Sequence, residues 1–274
     1  MVAWAELRKK IVLWEDDSAL VVNKPPGLSV MGERHDTDLV TMAANAGESL
    51  WWANRIDKVT SGAVVLAKTQ KSHGGLTRQF AQRTVDKAYL AICQPGGFPD
   101  KGAIDLPLLT AGSGRIRVAA ERQRIEHDSA TGTWYVKPVN LLPRRNYPSR
   151  TDYENLWDDG QNVVVLAMPV TGRRHQIRVH LAWVGHAIVG DPLFTKKTDA
   201  PTPRAYLHSL RIAFETAESR PRWVEVEAKP SADFWAPVDE RLAPRSSDEL
   251  LAAADTILSN QGSAASARTA NPCN

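Results

Sequence analysis

The sequence predicts an α+β chain, rich in strands and sparing in helices. Three observations lead there. Short apolar runs such as ALVVNK, GAVVLAK and NVVVLAMPV recur along the chain, bounded by Gly, Pro, Asn or Asp as strands are. Two segments, HGGLTRQFAQRTV and TGRRHQIRVHLAWVG, space apolar residues three and four apart, as amphipathic helices do. With 274 residues and 43% apolar content, the chain has enough material for one large domain or two small ones.

The elements follow in order. KIVLW (10–14) and ALVVNK (19–24) flank the acidic turn EDDS and read as a hairpin, ended by PPG at 25–27. SLWWANRID (49–57) and GAVVLAK (62–68) read as strands of a buried sheet, which places NRIDKVTSG (54–62) on a loop between rigid elements. His73, Leu76 and Phe80 mark a helix weakened by two glycines. DKAYLAIC (86–93) returns to strand, with Tyr89, Ala91 and Cys93 on one face. Residues 94–162 are rich in Gly, Pro and Arg, with short strands expected around 115–119, 133–139 and 152–156. NVVVLAMPV (162–170) is a further strand. The helix after it is expected to start at a Thr171 cap and stop at Gly185. Ile177, Leu181 and Val184 would line its core face, and Arg174 and Arg178, four apart, another. RAYLHSLRIAF (204–214) and RWVEVEAK (222–229) close the sheet. The division expected is a domain over 1–244 and a tail over 245–274, with a short helix at 248–258 and then residues too polar to pack.

The N-terminus lacks a signal-length apolar stretch, and nowhere do about 18 uncharged apolar residues run together, so neither secretion nor membrane insertion is expected. The two cysteines, Cys93 and Cys273, form no C-x-x-C spacing, which fits a reducing, cytoplasmic setting. Net charge is only +3, yet arginines cluster in RIRVAAERQR, LPRRNYPSR and TGRRHQIR. A guanidinium fork matches phosphate and stacks on bases, so Arg144, Arg145, Arg173 and Arg174 are candidates for contact with an acidic partner such as nucleic acid.

In NRIDKVTSG a single carboxylate, Asp57, sits between Arg55 and Lys58. A surface ion pair at a strand end is the plain reading. His175, His180 and His186 lie close in sequence, but His175 and His180 are five apart, about 140° around a helix, and no acidic residue joins them at ligand spacing. No metal site is expected; packing or RNA contact is. Tyr89 by itself reads as a core tyrosine whose hydroxyl finds a partner. Arg178, at the margin of an apolar helix face, must be paired if buried.

These stretches together resemble the pseudouridine synthases of the RluA family. NRIDKVTSGAVVLAK stands where that family has approximately HRLDKDTSGLLLLAK. VVNKPPGLSV resembles its first strand and turn, and RTVDKAYLAI its Lys-x-Tyr strand. VTGRRHQIRVHLAWVGHAIVGDPLF resembles its TGRTHQIRVHLA segment with the Gly-Asp that follows, and AYLHSLRIAF its closing strand. In order and spacing the likeness covers most of residues 11–230. It implies the pseudouridine synthase fold: a mixed, mainly antiparallel central sheet with helices and loops on its faces and an RNA-binding cleft across it. It also implies a monomer, structured RNA (tRNA or ribosomal) as partner, and no cofactor. Asp57 falls on the catalytic aspartate, Tyr89 on the active-site tyrosine and Arg178 on the arginine paired with the aspartate. Arg55 falls on the arginine that enters the space of the flipped nucleotide. Lys58, Lys87, Arg173, Arg174 and His175 lie in the matching motifs and are taken as RNA-binding. The departures are Asn54 for His, Val59 for Asp and Arg174 for Thr; the first two flank the aspartate and bear on positioning and substrate choice. About ten residues precede the first strand, so the small RNA-binding domain of many relatives is not expected and recognition falls to the catalytic domain's own loops.

Turning uridine into pseudouridine breaks the bond from ribose to N1 and joins ribose to C5, with no redox step or group donor. One nucleophile suffices. Two other classes compete: a hydrolase using Asp57, which would need an activated water and a partnering His or acid, and an RNA-binding module without catalysis. Release of hydrogen from C5 separates all three.

Overall fold

Apolar runs become strands here, and nearly all of the strands join one sheet. The structure is a computed structural model that describes residues 3–32, 38–194 and 202–269. Its helices are α1 (Trp4–Ile11), α2 (Leu39–Asn45), α3 (Gln70–Gln82), α4 (Gln176–Trp183) and α5 (Ser247–Thr269). Its strands are β1 (Val12–Glu15), β2 (Ala19–Lys24), β3 (Trp51–Trp52), β4 (Ser61–Ala67), β5 (Asp86–Gln94), β6 (Lys101–Asp105), β7 (Leu108–Thr110), β8 (Ile116–Val118), β9 (Ile125–Asp128), β10 (Thr133–Val136), β11 (Arg150–Asp158), β12 (Val163–Pro169), β13 (Ala187–Ile188), β14 (Leu207–Glu215) and β15 (Trp223–Glu227).

Thirteen strands form one sheet in the order β1-β2-β4-β14-β5-β12-β11-β6-β10-β9, with β3 on β4, β13 on β5 and β15 on β14. Only β4 with β14 and β6 with β10 run parallel. This is the mixed, mainly antiparallel sheet that the motifs imply. Every residue of β4 and β12 is buried, because helices or strand connections cover both faces of the central strands. On one face of β2 and β4, Val21 and Val65 pack with Leu76 of α3. On the other, Leu20, Val22 and Leu66 pack with Trp4 of α1 and Leu39 of α2. The largest cluster joins β5 and β12 to α4 and α5. Gly62 sits where β4 meets β14: at φ +108°, a Cβ there would lie 2.2 Å from the backbone oxygen of Ser209, so only glycine lets the strands approach.

Several boundaries differ from expectation. Helices α1 and α2 were not anticipated; α1 is short, with only Trp4 and Ile11 buried, and α2 starts at Asp38, whose carboxylate accepts from the Thr41 amide. The strand expected over 49–57 shrinks to β3, because Asn54 leaves the ladder and its side-chain oxygen accepts the Val65 amide at 2.8 Å. Helix α3 begins earlier than His73, at a reciprocal Thr69–Ser72 capping box. Strands β6, β7 and β9 appear in the Gly-, Pro- and Arg-rich region alongside the expected β8, β10 and β11. Helix α4 does not begin at a Thr171 cap. It begins at Gln176, after His175 in the left-handed region, and Thr171 instead donates to Gln176 Oε1 at 2.6 Å. Arg174 therefore lies outside the helix and shares no face with Arg178. Helix α5 runs past the expected 248–258 to Thr269, and Leu250, Ala254 and Leu258, one turn apart, are its buried stripe. Residues 270–274, with Cys273, lie outside the described residues. Among the described residues no helix is long and apolar enough to cross a membrane.

Candidate active site

The segment between β3 and β4 carries Asp57 and is fastened from below. The Thr60 amide closes a turn on Asp57 O at 3.0 Å, and the Gly27 amide donates to Lys58 O at 2.8 Å. Lys24, at the end of β2 and fully buried, donates from Nζ to the carbonyls of Pro25 (2.8 Å), Leu28 (2.6 Å) and Lys58 (3.3 Å). Burial pulls its ammonium down to about 7, against the opposing pull of Asp57. One lysine thus pins the Pro-Pro-Gly turn to the aspartate loop.

Helix α4 supplies the partner. Arg178 Nη1 donates to Asp57 Oδ2 at 2.6 Å, while its Nε and Nη2 donate to Asp191 Oδ2 and Oδ1 at 2.8 and 2.5 Å. The Arg178 side chain is 5% exposed, Asp191 0% and Asp57 25%, so the carboxylate that reaches the cleft is Asp57. Burial opposes the Arg178 charge, but the two carboxylates outweigh it and hold the guanidinium above its ordinary range. His175, left-handed at φ 57°, places Nε2 3.6 Å from Asp57 Oδ1. Burial lowers its pKa, Asp57 opposes that, and the guanidinium charges of Arg178 and Arg174 reinforce it. Tyr89 reaches the same cleft from β5; burial, joined by the Asp57 charge, pushes its phenol up to about 12.

The cleft has a volume of about 970 Å³ and is lined by Arg55, Asp57, Lys58, Lys87, Tyr89, Arg173, Arg174, His175 and Arg178, among others. The three residues expected to converge from distant motifs do so. Arg55 is exposed at the mouth, its guanidinium 5.7 Å from the Trp52 ring centroid. Lys87 is lowered in pKa by burial, which outweighs its neighbour Asp86. Arg173 and Arg145 both stack on Tyr147, at 5.3 and 5.2 Å from its ring centroid. The Arg174 guanidinium donates to Gly114 O and ties the β7–β8 hairpin tip to the approach to α4. Arg144 and Arg145 do not line the cleft; Arg145 extends its rim through Tyr147, and Arg144 is exposed in the adjoining loop.

His180 and His186 do not join His175. His180 Nε2 donates to Leu106 O and its Nδ1 accepts from Thr151, both at 3.0 Å, and His186 Nδ1 donates to Pro95 O at 2.8 Å. Among the described residues no group of His, Cys, Asp or Glu is placed to hold a metal ion. Reasoning from the sequence assigned no role to Lys24 or Asp191, although both stand in the motifs above. Their signal was a charged residue against a turn: Lys24 before Pro-Pro-Gly and Asp191 after Gly190.

A carboxylate aimed by a buried guanidinium, beside an un-ionised phenol in a cation-walled cleft, suits nucleophilic work on a base of an RNA. A family model described as RNA pseudouridylate synthase matches residues 18–183. The chain belongs to the RNA pseudouridylate synthase family. The synthase is 32% identical over 204 residues to the dual-specificity RNA pseudouridine synthase RluA of Escherichia coli (strain K12), covering 73% of this chain and 84% of that protein. It is 30% identical over 242 residues to the protein of the same name from Vibrio parahaemolyticus, covering 84% and 86%. The solved structure of human RNA Pseudouridylate Synthase Domain Containing 4 has the same fold: TM-score 0.67 at 22% identity, over 86% of this chain and 94% of that one. Human RNA Pseudouridylate Synthase Domain Containing 1 follows at TM-score 0.61 and 24% identity, over 89% and 94%. The family expected from the motifs is the one found, and the synthase is an isomerase acting on uridine in RNA.

Proposed function

We propose that this synthase isomerises specific uridines of a structured RNA, tRNA or ribosomal, with Asp57 as nucleophile. The observation that carries the reading is the 2.6 Å contact from Arg178 to Asp57 at the floor of the cleft. A charge-assisted bond of that kind orients the carboxylate toward the cleft. Asp57 adds to the base or to C1′ of the ribose; the bond from C1′ to N1 breaks, the base turns, C1′ bonds to C5, and the bond to Asp57 breaks to give back the free carboxylate. The C5 proton leaves to a base in the cleft and N1 takes one up. Tyr89, un-ionised at neutral pH, offers a stacking face and a hydrogen-bond donor to the turning base.

A uridine inside a stem must leave its stack to reach this floor, and Arg55 then occupies the gap, a reading that its exposure beside Trp52 supports. Lys58, Lys87, Arg173, Arg174 and His175 contact the RNA from the cleft walls, and Arg144 and Arg145 continue that surface outward. The catalytic residues fall within 1–244, with α5 packed onto that unit through Leu250, Ala254 and Leu258, and the protein acts as a cytoplasmic monomer.

The test is tritium release from RNA labelled at C5 of uridine, taken from cells lacking the protein, with pseudouridine positions mapped before and after treatment. Release and new pseudouridines with the parent, and neither with Asp57→Asn, are the expected results. No release by the parent from tRNA or ribosomal RNA would overturn the substrate class.

A further inference from the structure

Resting on the reading of Asp57 above, we propose that Asp191 is a positioning residue of the synthase, holding Arg178 in place throughout the reaction. Three N–H donors of one guanidinium are in use: two go to Asp191 and the third, Nη1, goes to Asp57. The Asp191 contact is a planar fork-to-fork pair with both partners out of water, at 0% and 5% exposure. A guanidinium gripped along one edge cannot swing, so the direction of Nη1 toward Asp57 is set before substrate arrives.

The arrangement also answers a charge problem. If Asp57 were the only counter-ion, its conversion to a neutral ester would leave a buried cation unpaired, which is strongly unfavourable. Asp191 keeps Arg178 paired whether Asp57 is free or bonded. The chain delivers Asp191 with care: the Val189 amide donates to Ile92 O at 2.9 Å, the Tyr206 amide to Val189 O at 3.0 Å, and the Leu193 amide to Asp191 Oδ1 at 2.9 Å. Gly190 takes φ +70°, and a Cβ there would fall 2.0 Å from Arg204 O, so the turn lies flush against the segment entering β14.

A fold-stabilising ion pair would show the same contacts, so the test separates the two. Asp191→Asn is measured in single turnover, with excess protein over the C5-tritiated RNA, and in filter binding of that RNA. The expected result is a rate lower by on the order of 10²-fold, with RNA affinity within about threefold of the parent. Because Asp191 acts through Arg178, adding Asp191→Asn to Arg178→Gln should change the residual rate less than about threefold. That second comparison stands even if Asp191→Asn alone fails to fold, since Arg178→Gln with Asp191→Asn replaces both charges by amides. A single variant as fast as the parent, affinity falling in step with rate, or a further tenfold loss in the Arg178→Gln background would each overturn the assignment. Asp57→Asn activity reports on the nucleophile separately.

Discussion

Arg178 and Asp57 are 121 residues apart in the chain and 2.6 Å apart in the fold. The contact joins helix α4 to the loop before β4, and of the two carboxylates paired with Arg178 only Asp57 opens to the cleft. Asp57→Asn keeps the shape of that side chain and removes its charge. RNA binding should persist, while pseudouridine formation should fall by on the order of 10⁴-fold or more, as loss of a covalent catalyst does. A disturbed surface ion pair is worth only about 1 kcal/mol. Activity within tenfold of the parent, in a variant shown to be folded, would return Asp57 to an ion-pair role.

Arg55 faces solvent at the cleft mouth against Trp52. If it fills the space of a flipped nucleotide, Arg55→Ala should slow turnover on a folded stem-loop at least about tenfold more than on an unstructured RNA. Unstacking costs a few kcal/mol in the first substrate and little in the second. Equal losses on both would assign Arg55 to chemistry or to general binding.

The rim around Tyr147 is expected to meet phosphates, since Arg145 and Arg173 stack on its ring and Arg174 braces the neighbouring hairpin. Alanine at these three arginines should weaken RNA binding and flatten the dependence of log affinity on log salt, by about 0.7–0.9 for each phosphate that the variant no longer neutralises. Titrations at several salt concentrations measure both, and an unchanged slope would place the phosphate wall elsewhere.

His180 and His208 are fully buried, and burial holds each pKa down to about 4 from 6.5. The unfolded chain takes up these protons first as pH falls, so the stability present above about pH 6.5 drains away until the folded-state values are reached. From pH 7 to pH 5 each histidine should cost about 2 kcal/mol of unfolding free energy. Denaturant unfolding at the two pH values measures it, and His180→Gln should show a smaller drop than the parent. The same drop in both would remove His180 from the acid sensitivity.

Much of this was legible in one dimension. The runs that became β2, β4, β5, β12 and β14 are apolar enough to need burial on both faces, and local composition sufficed to find them. The motifs around Asp57, Tyr89 and Arg178 carried the family. Local rules failed where tertiary contacts overrode them: Asn54 left its strand for the Val65 amide, and Thr171 directed its hydroxyl to Gln176 in place of capping a helix. Helix α5 ran on to Thr269, because backbone helix propensity as well as an apolar stripe carries a helix forward.

By itself the sequence determined the strand-rich class and the family, and through the resemblance it singled out Asp57, Tyr89 and Arg178 as the expected site residues, because class and motifs are properties of residue type and order. Only the tertiary structure decided how Arg178 divides its donors between Asp57 and Asp191, that Lys24 stands under the aspartate loop, and that Arg145 and Arg173 share the Tyr147 ring. The reason is physical. A charge or a donor in a sequence has no partner until folding takes it out of water, and the desolvation cost of leaving it alone then selects, from residues far along the chain, the ones it must meet.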